Sequence, residues 1–186
     1  MYVIIQPTTH ERVLSSACCM PYWHYVSLKR NNDVTLYEDV TSRQCERIMR
    51  NQTSKDTIIL MDMSSEPQID FGKLMYHEYR DYNIQFIGYK PYIDAAGLPF
   101  FEMDRQDLLY GAYNQIYHEF EYQNEEDSHI VIDDDGKPWV SCFLAVGCKR
   151  HCGYCYVNKG NYPFGNLGLE DCLKAIDYLD DEGLNV

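Results

Sequence analysis

Thr57-Ile58-Ile59-Leu60-Met61 is the stretch on which the fold turns. A strand with one face in water alternates apolar and polar residues. An unbroken apolar run bounded by polar residues instead predicts a strand covered on both faces, as in a parallel sheet sandwiched by helices. Working outward, Tyr2-Val-Ile-Ile5 before Pro7, Val34 to Tyr37 and Ile84 to Ile87 read as further strands, and Pro99-Phe-Phe101 as a short edge strand. Helical patterns separate them: Val13 to Lys29, broken or kinked at Pro21, then Ser42 to Arg50, Leu74 to Tyr82 and a closing helix over Leu108 to Phe120. Strands and helices alternating at this spacing imply right-handed crossovers and a parallel sheet. Residues 1–122 are therefore expected to form a small doubly wound, Rossmann-like α/β domain.

Composition narrows the function classes. The chain has 186 residues, and 45 % of them are apolar, enough to build a core. A formal net charge of −13 argues against nucleic-acid binding along a basic stripe and against docking on an anionic membrane. The opening MYVIIQPTTHERV has neither a basic leader nor a long apolar run, so no signal peptide is expected and the cytoplasm is the expected location. Thiols stay reduced there, so the eight cysteines are not expected to form a disulfide framework.

The character of the chain changes after the first domain. Glu119 to Asp135 holds eight acidic residues and no Lys or Arg. Residues 123–138 read as an acidic linker and turn, with Asp133-Asp-Asp-Gly136 joining Ile130–Ile132 to Trp139–Val140 as a hairpin rather than a calcium loop. Residues 139–186 then read as one strand–loop–helix unit. Its strand runs over Trp139 to Val146 and its polar loop over Asn158 to Gly165. Its helix spans Leu169 to Asp181, with Leu169, Cys172, Leu173 and Ile176 expected on one apolar face. Gly183 is its expected stop, and Leu184-Asn-Val186 resembles the opening of another strand.

Between that strand and helix lies VGCKRHCGYCYV, residues 146–157, with Cys148, Cys152 and Cys155. A C-x2-C pair puts two sulfurs on one turn, and Cys148 adds a third to the same loop. Structural zinc takes four ligands, usually as two pairs from separate loops. A cubane iron–sulfur cluster held by three thiolates has one iron without a protein ligand, open to something else. Zinc with Cys142 or Cys172 as fourth ligand and unligated thiols stand as alternatives; both of those cysteines also read as small core residues.

The motif resembles that of the radical S-adenosylmethionine (SAM) superfamily, C-x3-C-x-aromatic-C, met here by Cys148, Cys152, Tyr154 and Cys155. The resemblance implies that the three cysteines ligate a [4Fe-4S] cluster, on the loop after the first strand of a β/α barrel. It implies that SAM binds the fourth iron, with Tyr154 beside its adenine. Reductive cleavage of SAM would then release a 5′-deoxyadenosyl radical that abstracts a substrate hydrogen, with the electron drawn from a flavodoxin- or ferredoxin-type reductant. The barrel resemblance covers only residues 139–186. The expectation is an N-terminal portion of a longer enzyme, or one chain of a split enzyme completed by a second, inactive by itself.

The domain ahead of it resembles the flavodoxin-like, cobalamin-binding domain of one branch of that superfamily. In the D-x-H-x-x-G loop of that branch, Thr8 and Val13 stand here where Asp and Gly belong, although His10 is present. Ser64-Ser65 and Gly88 are similar to small-residue cofactor loops, but strand-to-helix turns favour Ser and Gly anyway. The reading favours a degenerate scaffold over a cobalamin carrier. Cys18, Cys19 and Cys45 read as small buried residues, and His24, His77, His118 and His129 as structural or exposed. Tyr110, Tyr113 and Tyr117 read as packing. His151, Lys149 and Arg150 would tune or offset the charge of a bound cluster, or simply face solvent.

Overall fold

Alternation inside the apolar runs decides which helix covers which face of the sheet. The computed structural model describes residues 1–8, 20–63, 65–114, 131–132, 136, 138–139, 145–146, 150 and 165–183. Strands β1 (Tyr2–Pro7), β2 (Val34–Val40), β3 (Thr57–Met63) and β4 (Asn83–Gly88) form a parallel sheet in the order β2-β1-β3-β4. A parallel bridge between Phe86 and Phe100 adds a fifth position at the edge. There the Phe86 N–H donates to the Pro99 carbonyl and the Phe101 N–H to the Phe86 carbonyl, both at 2.9 Å. The expected edge strand over Pro99–Phe101 is thus reduced to a single bridge at that edge. The four-strand order, parallel with helices between the strands, is consistent with a doubly wound α/β fold.

Val3, Ile5, Ile58, Leu60, Ile84 and Phe86 point to one face. There they meet Cys45 and Met49 of α2 (Ser42–Arg50), Ile69 and Met75 of α3 (Glu66–Glu78), and Ile93 of α4 (Lys90–Ala95). Ile4, Ile59, Met61 and Ile87 point to the other, against Tyr25 and Leu28 of α1 (Met20–Lys29). Helices on both faces explain why the Thr57–Met61 run carries no polar alternation. Each such Ile or Leu, fully buried, stabilises the fold by roughly 1.5–3 kcal/mol.

The helices differ from the sequence reading in three places, the least of them the closing helix, which starts at Arg105 rather than Leu108. The helix expected over Leu74–Tyr82 runs from Glu66 to Glu78. Ser65 takes the N-cap position, Pro67 sits in the first turn, and Ile69, Gly72 and Met75 form the buried stripe. Tyr79–Tyr82 is a turn closed by the Tyr82 N–H on the Tyr79 carbonyl at 2.9 Å. Helix α4 was not expected at all; it is one and a half turns long, too short for a periodicity to show. The Ser42–Arg50 helix stands as read, started by a reciprocal Thr41–Gln44 capping box.

Helix α5 (Arg105–Asn114) packs beside α1. Gly111 makes the crossing possible, because a Cβ there would overlap the carbonyl oxygen of Trp23. Trp23, Leu108 and Ala112 fill the contact. The Ser27 hydroxyl donates to the Asp107 carbonyl, and Arg30 pairs with the Asp107 carboxylate at 3.3 Å.

Beyond residue 130, β5 (Val131–Ile132) pairs antiparallel with β6 (Pro138–Trp139), the expected hairpin, with Gly136 at φ +76° between them. Strand β7 (Ala145–Val146) pairs antiparallel with β8 (Gly165–Asn166), and α6 (Leu169–Asp181) follows, stopped at Gly183 with φ +73°. The face of α6 needs correction. Leu169, Leu173 and Ile176 are exposed, and Ala175 and Leu179 are buried instead. The segments 9–19, 115–130 and 184–186 lie outside the described residues, so the calls that fall there, including the starts and ends of two expected helices, stay as expectations. No described helix is long and apolar enough to cross a membrane.

Candidate metal centre

The root of the cysteine loop is set by two short strands. Val146 is the register partner of Gly165, and Ala145 of Asn166, so the chain leaves at Val146 and returns at Gly165 to the same bridge. Cys148, Cys152 and Cys155 all fall between those two partners, as do Lys149, His151 and Tyr154. These six lie outside the described residues, so the structure supplies the frame of the loop and the sequence supplies its donors. The donor chemistry fits an iron–sulfur cluster: three soft thiol ligands, four and then three positions apart, on one loop.

The frame rests on the first domain. Gly165 lies on Leu109 and Tyr113 of α5, and the two units enclose a cleft of about 600 Å³. Arg30, Tyr110 and Asn114 line it from the first domain, and Asn166, Asp171 and Lys174 from the second. Its cations are already engaged. Arg30 lies 4.1 Å over the Tyr110 ring and pairs with Asp107, and Lys174 pairs with Glu170 and Asp171 at 3.2 and 3.5 Å. Tyr113 has its hydroxyl buried without a hydrogen-bond partner among the described residues, and burial, with Cys172 nearby, raises its phenol above the ordinary range.

Cys172, the alternative zinc ligand, is half-buried on α6, with its sulfur 4.0 Å from the Leu167 carbonyl oxygen. Cys142, the other, lies outside the described residues, as do Cys18 and Cys19. Cys45 is fully buried in the core, as its sequence reading expects. His24 is buried beside Phe101 and His77 is exposed on α3. Among the described residues, no three His, Cys, Asp or Glu side chains gather into a metal site.

The carboxyl ends of the strands form a second candidate place. Pairing of β1 with β3 stops at Ile5 and Leu60, while β1 continues along β2 to Val40 and β3 along β4 to Gly88. The two central strands therefore part at the topological switch point, where doubly wound sheets bind ligands. His10, Val13 and Ser64 of the cofactor-loop reading lie outside the described residues. Thr8 is engaged through its N–H, which donates to the Val40 carbonyl at 2.7 Å. Gly88 has a packing reason of its own, since a Cβ there would stand 2.5 Å from the Met63 backbone.

Sequence reasoning missed the contact between α5 and the loop root. Its signal was Gly165 itself, which the sequence reading places at the end of a polar loop rather than at a close approach. Comparison with protein-family models, with curated proteins and with solved structures finds no match to this chain.

Proposed function

We propose that the chain is the N-terminal portion of a radical SAM enzyme, with Cys148, Cys152 and Cys155 as the ligands of a [4Fe-4S] cluster. The observation that carries the reading is the C-x3-C-x2-C spacing with Tyr154 before the last cysteine. The order of β7, loop and α6 is that of the first β–loop–α unit of a barrel, while the described pairing of β7, antiparallel with β8, is not barrel pairing. The exposed stripe of Leu169, Leu173 and Ile176 supports the barrel reading, since a barrel helix has more than one neighbour to cover.

Each part of the chain then has a role. Cys148, Cys152 and Cys155 would hold three irons and leave the fourth for the amino and carboxylate groups of SAM, and Tyr154 would stand beside the adenine. The bound cluster supplies the electron that cleaves SAM reductively. Lys149 and Arg150 place positive charge beside an anionic cluster. The α/β domain serves as a scaffold of the cobalamin-binding type without the cofactor, since the Asp and Gly of the binding loop are replaced by Thr8 and Val13. A reductant of the flavodoxin or ferredoxin type is the expected partner.

Oxygen-free reconstitution with iron and sulfide tests the proposal. The wild-type chain is expected to turn brown and retain about four irons, and Cys152→Ala to lose both. One zinc per chain and no colour would replace the proposal with a zinc-stabilised interaction domain.

A further inference from the structure

Carboxylates are plentiful in a chain of net charge −13. Arg30 reaches Asp107, Arg50 reaches Glu46, Lys73 reaches Asp70 and Lys90 reaches Asp94. On the outer side of α2, Arg43 and Arg47 reach none. Both are exposed, and neither guanidinium has an ion pair, hydrogen bond or ring contact among the described residues. The two stand one turn apart, about 6 Å along the helix axis. With Glu46 and Arg50 they line a groove of about 510 Å³.

The stability of α2 explains only part of this arrangement. Arg47 and Arg50 lie in the last turn, where the helix dipole favours cations. Arg43 lies in the first turn, where the dipole disfavours one, and no acidic residue there offsets it. The Thr41–Gln44 capping box starts the helix without help from Arg43. Packing is no reason either, since α2 meets the sheet through Cys45 and Met49.

We propose that this face of α2 is a docking surface for a partner protein that presents two carboxylates one helical turn apart. Each guanidinium offers paired N–H donors to a carboxylate, and acidic residues at i and i+4 of a partner helix match the spacing of Arg43 and Arg47. Two features favour a protein over a nucleic acid. The net charge of −13 repels a polyphosphate at long range. Glu46 also sits among the arginines, so the groove suits a surface of mixed sign rather than a uniform row of phosphates. The docking surface lies wholly on the α/β domain and does not depend on the cluster reading.

The full chain is titrated at low salt with an alanine–glutamine helical peptide carrying two glutamates one turn apart, and binding is followed by the NMR signals of the arginine Nε–H groups. Those of Arg43 and Arg47 should shift and saturate. Arg43→Gln/Arg47→Gln, whose side chains are exposed and whose melting temperature checks the fold, should bind about tenfold more weakly. The same peptide with glutamine for glutamate should give no shifts. No response from wild type would overturn the proposal, and so would equal binding by the double variant or by the glutamine peptide. An equal loss in Lys55→Gln/Arg80→Gln, which removes two exposed cations outside the groove, would also overturn it by showing that net charge alone matters. An oligothymidylate that binds wild type as tightly as the peptide does would assign the face to nucleic acid and overturn it as well.

Discussion

The Cys45 thiol, fully buried on α2, is pushed from its ordinary 9.0 up to about 12, first by burial and then by Glu46. The folded thiol stays protonated where an unfolded one ionises. Its contribution to stability is therefore complete below pH 9 and is lost as the pH rises toward 12. The loss is on the order of 1 kcal/mol per pH unit. Chemical denaturation of wild type and Cys45→Ala at pH 8 and pH 10.5 should show the wild type losing more stability across that interval; equal losses would contradict the assignment. Tyr113 gives a second expectation, because its hydroxyl is buried without a partner among the described residues. Tyr113→Phe removes a desolvated polar atom and no hydrogen bond, so the melting temperature should hold or rise, and a fall of several degrees would point to a bond that the hydroxyl does make. Cys45 was legible in the sequence as a small core residue. The orientation of Leu169, Leu173 and Ile176 was not, because Cys172, Ala175 and Leu179 form a second stripe one position over. Hydrophobicity alone ranks the first stripe higher, and only the neighbours of α6 decide which one is covered.

Among the elements, the α1–α5 crossing depends on one missing side chain. Gly111→Ala would bring a methyl group against the Trp23 carbonyl, a backbone atom that no rotamer change can move. The cost is expected to reach or exceed the roughly 1–3 kcal/mol of ordinary overpacking, even though Ala favours a helix over Gly by about 1 kcal/mol. Urea denaturation measures it, and an unchanged or higher midpoint would show that the helices can separate freely. The strands were the legible part of this fold, since Thr57–Met61 and its neighbours are continuous apolar runs that a helix-covered parallel sheet requires. Helix α3 was misplaced because its buried stripe includes Gly72, which carries no hydrophobic signal yet lies close to Met63 and Phe86. The β7–β8 pair was half seen. Two-residue strands have no periodicity to read, and Gly165–Asn166 has a loop's composition.

For the whole molecule, an acidic chain divides its work between a parallel-sheet domain and a loop of thiols framed by β7 and β8. The fold of the first domain follows from its apolar runs, but a doubly wound sheet serves many functions. The candidate centre rests on a signal of the opposite kind: ligand spacing is a local property, independent of which surfaces pack. What sequence could not convey is that the two parts meet at Gly165, since a contact between residues 109 and 165 has no signature in either segment alone. The central claim is that three neighbouring sulfurs, and no fourth, hold the metal. Thiol alkylation followed by peptide mass spectrometry, before and after oxygen-free loading with iron and sulfide, tests it most directly. Cys148, Cys152 and Cys155 should become protected together, with about four irons bound, while Cys142 and Cys172 react as before. Protection of Cys142 or Cys172 alongside the three, or no protection of the three, would contradict it.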